Sequence, residues 1–295
     1  MVLFSEQPDL QKSKAIELVP VLEGGGTRLS AHIGILKALK ELNIHFERLV
    51  GVSGGSIVSA LYASGLSLEE IESHIINTDF SKHLSFSLIR LICQGGFCSG
   101  DGFENWMDDK LKGITFRELK KELHIVATDI KRSCSVIFDR NTTPDLPVSL
   151  AVRFSMSIPL MFAFKPFGDY LMTDGSVLSE ESLHRDWSEK GTPVLCFRLR
   201  GEYDNENAQI NRFFPLKSYV NLLMRTFITA MSREYINEKF WHKTIIVDTG
   251  KISPVDFSIS REQKLELVKR GYETTLEIVP WKILKSVSPD FAKKH

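Results

Sequence analysis

Ser53 stands in a G-x-S-x-G pattern, flanked by Gly51 and Gly55. A predicted strand (Phe46–Val52) precedes it and a predicted apolar helix (Ser56–Ala63) follows it. Such a sharp strand-to-helix turn strains the serine backbone and exposes the hydroxyl, and its flanking residues must be small because strand and helix approach closely. The pattern therefore predicts a nucleophilic serine, with an incidental serine in a glycine-rich connection as the alternative.

Three consecutive glycines, Gly24 to Gly26, lie between a short apolar run (Ile16–Leu22) and an amphipathic helix that starts near Ala31. Their N–H groups can point into one concavity and stabilise an oxyanion, where losing one donor costs about 3–4 kcal/mol. Arg28 can add positive charge there or bind a phosphate. The alternative is a dinucleotide or phosphate loop, but Leu29 stands where the G-x-G-x-x-G pattern needs a glycine.

A nucleophilic serine needs a base. The order of an α/β-hydrolase would supply a late histidine, but the serine turn comes too early in the chain for that topology. His184 and His242 lie late enough, yet their polar contexts favour solvated surface side chains. Asp174 is the remaining candidate, because it follows a predicted strand (Tyr170–Thr173) and its turn would bring it to the carboxyl edge of a parallel sheet. By itself, an Asp-Gly pair is also a common connecting turn.

The opening order of strand, turn, helix, strand, turn and helix is typical of a parallel sheet with crossover helices and predicts the α/β class. Further strands are predicted at His124–Thr128, Ser133–Asp139, Tyr170–Thr173, Val194–Arg198 and Lys243–Asp248. Further helices are predicted at Gly102–Leu111, Leu146–Phe154, Pro215–Trp241 and Arg261–Ile278. The acidic stretch Gly201–Gln209 predicts a surface loop rather than a linker, so we expect a single domain.

The composition is that of an ordinary globular protein, with 43% hydrophobic and 25% charged residues in a chain of 295. Lys+Arg and Asp+Glu both number 37, which gives no reason to expect a nucleic-acid partner. The segment Met1–Lys14 lacks the apolar core of a signal peptide, and no run approaches the ~18 apolar residues of a membrane span. The four cysteines show no C-x-x-C pair or zinc spacing, so we expect a cytoplasmic protein with reduced thiols.

Together these motifs resemble the patatin-like phospholipase family. The similar segments are the oxyanion motif (Gly24–Arg28), the helix after it (Ala31–Leu39), the nucleophile elbow (Gly51–Gly55), a strand (Leu123–Ile130), the block before the dyad strand (Ala151–Pro159) and the dyad motif (Asp174–Gly175). They span residues 18–200 in the family's order, and several ordered motifs are far more specific than one. The chain departs from the pattern at Glu23, at Leu29 and in the segment Ser176–Glu181.

The resemblance implies a three-layer α/β/α sandwich with a mostly parallel central sheet. It implies that Ser53 attacks an ester carbonyl, that Asp174 takes the hydroxyl proton and later activates water, and that no metal or other cofactor is required. The implied oxyanion hole comprises Gly24, Gly25, Gly26 and Arg28. In domain terms, we expect an N-terminal tail (1–15), a catalytic core (16–200) and a C-terminal extension of helices and strands (201–295) packed on the same domain.

The implied substrates are fatty-acyl esters of phospholipids or lysophospholipids. The same dyad could instead transfer the acyl group to an alcohol or act on neutral glycerides, and Leu29 makes a non-catalytic lipid-binding protein the third alternative. The stretch Phe80–Phe97 combines apolar residues with cations, and Phe162, Phe164 and Phe167 precede the dyad strand. These side chains predict either core packing or a surface in peripheral contact with a membrane.

Overall fold

The computed structural model describes residues 16–178, 185–187, 191–201, 219–220, 222–223, 226 and 238–287. Its strands are β1 (Ile16–Glu17), β2 (Val19–Glu23), β3 (Ile44–His45), β4 (Arg48–Val52), β5 (Gly96–Cys98), β6 (Glu122–Asp129), β7 (Cys134–Phe138), β8 (Leu160–Phe162), β9 (Pro166–Phe167), β10 (Tyr170–Thr173), β11 (Val194–Arg200) and β12 (Thr244–Asp248). Its longer helices are α1 (Ser30–Glu41), α2 (Gly54–Ala63), α3 (Leu68–Asn77), α4 (Leu88–Gln94), α5 (Asp101–Leu111), α6 (Val148–Ser155) and α7 (Arg261–Val287).

A central sheet of eight strands organises the described residues, in the order β12-β11-β2-β4-β6-β10-β9, with β7 also paired to β6. The five strands from β12 to β6 run parallel. β7 and β10 are antiparallel to β6, and β9 is antiparallel to β10. The predicted α/β class with a mostly parallel sheet is confirmed, and the carboxyl ends of the parallel strands meet at one edge.

The central strands are buried on both faces, which is why their sequences are nearly continuous apolar runs. On one face, Leu22 and Leu49 belong to a large apolar cluster that includes residues of α1, α2 and α7. On the other face, Val21 and Val50 belong to a smaller cluster with Trp187. The predicted helix Pro215–Trp241 and the predicted loop Gly201–Gln209 lie largely outside the described residues.

Close backbone contact joins α7 to α1. A Cβ atom on Gly34 of α1 would lie only 1.9 Å from the carbonyl oxygen of Val268. A Cβ atom on Gly271 of α7 would lie 2.0 Å from the carbonyl oxygen of Ala31. Because only glycine leaves room for such an approach, these two glycines determine how closely α7 packs against α1.

Two local predictions differ from the structure. The expected strand Ile16–Leu22 is divided into β1 and β2, and β1 pairs with β3 rather than with the central sheet. Helix α7 continues through Pro280 to Val287, whereas the sequence pattern predicts that it ends at Ile278. Proline removes a helical hydrogen bond, but the buried side chains of Val279 and Ile283 on either side of it stabilise the continued helix.

Candidate active site

Ser53 occupies a strained turn between β4 and α2, with φ 53° and ψ −127°. Its N–H donates to Ser155 Oγ at 2.9 Å, and Ser155 Oγ in turn donates to the carbonyl oxygen of Val126 at 2.6 Å. Ser56 Oγ donates to the Ser53 carbonyl oxygen at 2.6 Å. A backbone conformation of this kind costs about 1–3 kcal/mol and persists only when its surroundings hold it, as these three hydrogen bonds do.

Small residues around the turn let the helix approach the sheet closely. A Cβ atom on Gly55 would lie 2.1 Å from the carbonyl oxygen of Leu22 in β2. A Cβ atom on Gly54 would lie 2.8 Å from the carbonyl oxygen of Gly26 and 2.9 Å from that of Gly24. The start of α2 therefore lies directly against the glycine turn that follows β2, which brings two separate sequence motifs together.

Asp174 reaches Ser53 from the opposite direction along the sheet. Val52 at the end of β4 is paired in register with Val126, and Thr173 at the end of β10 is paired with Thr128. Both strands lie on β6 but run antiparallel to each other, so their carboxyl ends meet. Ser53 Oγ donates to Asp174 Oδ2 at 2.7 Å. The sequence predicts Asp174 at the carboxyl edge of a parallel sheet, and it reaches that edge from β10, which is antiparallel to β6.

Burial makes the Asp174 carboxylate unusually basic. Its side chain is 1% exposed, and burial raises its pKa from 3.8 to about 6. The hydrogen bonds from the Ser53 hydroxyl and the Ser176 backbone lower this pKa, while the charge of Glu23 raises it further. The Ser176 N–H donates to Asp174 Oδ1 at 2.8 Å. A carboxylate with a pKa near neutrality can take a proton from a reacting hydroxyl at physiological pH.

The glycine turn borders the same site. Gly24, Gly25 and Gly26 line a polar pocket together with Ser53 and Asp174. The Gly24 N–H is already engaged, because it donates to the carbonyl oxygen of Val52 at 3.1 Å. Among the described residues, the Gly25 and Gly26 N–H groups have no backbone acceptor. Two of the three glycine amides therefore remain available for a ligand.

Arg28 is the one predicted oxyanion residue whose side chain does not reach this pocket. It is fully buried and lines neither of the two pockets that Ser53 borders. Its Nε donates to the carbonyl oxygen of Gly25 at 3.2 Å, and its Nη1 donates to Thr249 Oγ1 at 3.0 Å. The guanidinium group thus connects the glycine turn to the residue that follows β12.

Of the two histidines that are alternative bases, His242 does not approach Ser53, and His184 lies outside the described residues. His242 is exposed in the 3₁₀-helix that precedes β12, at the amino edge of the sheet and so away from the carboxyl ends. A third histidine, His32 on α1, was not considered a site residue, yet its Nε2 lies 3.2 Å from the Gly24 carbonyl oxygen. The sequence signal that could have identified His32 is a histidine on the apolar face of the helix that directly follows the glycines.

Ser53 separates two pockets of different character. One is lined almost entirely by apolar side chains, among them Leu29, Phe80, Leu84, Phe103, Phe162 and Phe257. The other has Glu23, Asp174, Ser176 and Arg198 in its wall. Glu23 and Arg198 form a buried ion pair in which Oε2 and Nε are 2.5 Å apart. An ester bound at Ser53 can therefore direct an apolar group to one side and a polar group to the other.

Comparison with known proteins supports what this geometry indicates. The family model for patatin-like phospholipases matches residues 21–183. The Bacillus subtilis (strain 168) protein YqhO is 29% identical over 282 residues, which covers 86% of this chain and 95% of that protein. The Drosophila grimshawi protein neuropathy target esterase sws is 30% identical over 168 residues, which covers 54% of this chain and 11% of that protein. The VipD structure from Legionella pneumophila covers 90% of this chain and 66% of that chain, with a TM-score of 0.61 and 17% sequence identity.

The family match covers more than half of the chain and contains Ser53, Asp174 and the glycine turn. The chain therefore belongs to the patatin-like phospholipase family, as the sequence motifs predicted, and it is a hydrolase of carboxylic ester bonds. The likeness to VipD, at 17% identity, concerns the fold.

Proposed function

We propose that this protein hydrolyses fatty-acyl esters of phospholipids and lysophospholipids with Ser53 as the nucleophile and Asp174 as the general base. The observation that carries the proposal is the 2.7 Å hydrogen bond from Ser53 Oγ to Asp174 Oδ2. The raised pKa of this carboxyl group gives it the basicity that proton abstraction from a serine requires.

The proposed reaction has two halves. Ser53 Oγ attacks the ester carbonyl carbon while its proton passes to Asp174 Oδ2, and the resulting oxyanion accepts hydrogen bonds from the Gly25 and Gly26 amides. The tetrahedral intermediate then collapses, and the alcohol leaves with the proton from Asp174. In the second half, Asp174 takes a proton from water, which attacks the acyl-enzyme, and the proton returns to Ser53 Oγ as the fatty acid leaves.

The two pockets at Ser53 support a lipid ester as the substrate. The apolar pocket suits the acyl chain, and the polar pocket beside Glu23 and Arg198 suits the alcohol part of the ester. Leu29 is 3% exposed and lines the apolar pocket, where it narrows the space for the chain. From this position, Leu29 should affect which acyl groups are accepted rather than whether the reaction occurs.

We further propose that a lipid surface contacts the apolar tip formed by Phe86, Leu88, Ile89, Ile92 and Phe164. Helix α4 buries none of its residues, and Ile89 and Ile92 are 75% and 83% exposed. The 3₁₀-helix Phe80–His83 lies just before this tip in the chain and supplies two residues to the apolar pocket. An exposed apolar surface that follows pocket-lining residues in the chain, with Lys82 and Arg90 nearby in sequence for lipid phosphates, suits insertion at an interface. No helix among the described residues is long and apolar enough to cross a membrane.

The test of the dyad is a pair of substitutions with matched controls. We expect Ser53→Ala and Asp174→Asn each to lower the turnover of a soluble short-chain ester by about 10⁴-fold, as for other residues that act as one unit. Ser64→Ala, at the opposite end of the same helix, and Asp145→Asn, at an exposed salt bridge, should leave turnover within about twofold. Turnover by the Ser53 variant at the wild-type rate would disprove the nucleophile. An equal loss on His242→Ala would replace the dyad with a triad.

The test of the membrane contact compares two substrates, phospholipid vesicles and a soluble ester. We expect Ile89→Glu to reduce hydrolysis of phospholipid vesicles about tenfold and to leave hydrolysis of the soluble ester unchanged, since a carboxylate opposes insertion near the acyl boundary. Leu265→Glu, which changes a partly exposed leucine on α7, is the matched control. Equal effects of Ile89→Glu on both substrates would contradict an interfacial role.

A further inference from the structure

The two free amides of the glycine turn belong to two consecutive peptide groups, and the carbonyl end of each is held by a buried side chain. The Gly24 carbonyl oxygen, in the same peptide group as the Gly25 N–H, lies 3.2 Å from His32 Nε2. The Gly25 carbonyl oxygen, in the same peptide group as the Gly26 N–H, accepts from Arg28 Nε at 3.2 Å and from the Arg28 backbone N–H at 2.9 Å. Both side chains are completely buried.

A trans peptide group is planar, and its N–H and C=O bonds point in opposite directions. Fixing the carbonyl on the buried side therefore fixes the amide on the other side, which for Gly25 is the polar pocket that contains Ser53 and Asp174. Such control is needed in this turn, because glycine backbones rotate more freely than those of other residues. The φ angle of Gly25 is 102°, which lies in the region that glycine visits readily.

We propose that His32 is a positioning residue that aims the Gly25 amide at the oxyanion of the reaction. The inference rests on the proposed function, since it concerns the oxyanion hole of that same site. Arg28 holds the next peptide group in the same way, which explains why a residue of the glycine motif turns its charge away from the pocket. Donors of this kind stabilise charge best when they are fixed before the reaction begins.

His32 must be neutral with its proton on Nε2 to perform this role. A carbonyl oxygen only accepts, so Nε2 carries the hydrogen. His32 Nδ1 is buried and has no hydrogen-bond partner among the described residues, as expected for the unprotonated nitrogen. Burial, together with the charge of Arg28, lowers the pKa of His32 to about 4, against a smaller opposing effect of the hydrogen bond to the Gly24 carbonyl oxygen. The ring therefore acts as a fixed neutral donor and not as a proton carrier.

The test replaces the ring with side chains that keep or remove the donor. We expect His32→Leu, which keeps the apolar volume, to lower kcat for a soluble ester by about 10- to 100-fold with KM within twofold, because the donor acts on the transition state and not on the bound ester. His32→Gln, which restores an N–H donor without a titratable ring, should recover kcat to within about threefold of wild type. His45→Leu, at an exposed histidine of β3, is the matched control.

Folding and function are separated in the same experiment. The rates of wild type and of the His32 and His45 variants are each divided by the fraction of chains whose Ser53 reacts to completion with a fluorophosphonate, so that misfolded protein does not contribute. A wild-type kcat in His32→Leu, or a kcat in His32→Gln as low as in His32→Leu, would overturn the positioning role. Ser53→Ala is measured alongside. If this variant keeps wild-type turnover, the proposed function fails. If Ser53→Ala is inactive while His32→Leu keeps the wild-type kcat, only the role of His32 fails.

Discussion

The region with family motifs and the carboxy-terminal region contribute differently to one site. Residues 21–183 supply the proposed nucleophile, its carboxylate partner and the glycine amides. The later segment supplies Thr249 to the Arg28 guanidinium, the Pro254 carbonyl oxygen to the Thr27 N–H at 3.0 Å, and Phe257 to the apolar pocket. The reacting groups thus come from recognisable motifs, whereas part of the pocket wall and of the support for the glycine turn comes from sequence that carries no motif.

The largest effect should follow from breaking the junction between the two regions. Because a Cβ atom on Gly34 would overlap the Val268 carbonyl, we expect Gly34→Ala to lower the free energy of unfolding by about 3 kcal/mol, measured by urea denaturation. The overlap outweighs the roughly 1 kcal/mol that alanine gains over glycine in a helix. Lys40→Ala, on the exposed side of α1, should stay within about 0.5 kcal/mol. Two separate unfolding transitions in the wild type would contradict an integral carboxy-terminal region.

The pH dependence of kcat/KM should be determined by the region with family motifs alone. Asp174 must be deprotonated to act as a base, so kcat/KM should fall about tenfold per pH unit below its pKa of about 6, or about 100-fold at pH 4. Phe257→Ala and Thr249→Val should leave the midpoint of this profile unchanged, and a shift of the midpoint by either one would contradict the division.

The folded protein also binds an extra proton between pH 3.8 and about 6. The resulting stability is present in acid and is lost as the pH rises through 6.

Selectivity for the acyl chain should depend on the second region. Phe257 lines the apolar pocket and contacts Phe162, with ring centroids 6.2 Å apart. We expect Phe257→Ala to lower kcat/KM about tenfold for long-chain soluble esters and less than twofold for a four-carbon ester, since only a long chain loses the contact. The measurement is a series of monomeric esters of increasing length, with Leu265→Ala on α7 as the control. The same loss at every length would assign Phe257 to general packing.

The smallest effect should come from the hydroxyl that joins the two regions. Thr249 Oγ1 accepts from Arg28 Nη1 and donates to the carbonyl oxygen of Arg200 at 2.9 Å. We expect Thr249→Val to lower kcat about threefold, because Arg28 then holds the Gly25 carbonyl less firmly. Thr249→Ser keeps the hydroxyl and should retain the wild-type rate. A loss of rate in the serine variant as large as in the valine variant would exclude the hydroxyl as the cause.

The motif region was predictable because its constraints are local. Gly51 and Gly55 around Ser53, and the apolar runs beside them, specify a strand-to-helix turn within a dozen residues. The direction of β10 was not predictable, because register against β6 depends on pairing between distant segments. Likewise the contacts of Pro254 and Phe257 arise from loops whose sequence carries no periodic signal. The inward turn of the Arg28 side chain depends on Thr249, which lies 221 residues away along the chain.

Because β4 and β10 both pair with β6 and point toward each other, β6 determines the distance between the residues that follow them. The separation between Ser53 and Asp174 is set by which residues of β6 each strand faces, Val126 for β4 and Thr128 for β10. The segment that carries α3 to α5, which lies between β4 and β6 in the chain, can therefore lengthen or shorten without moving the reacting atoms.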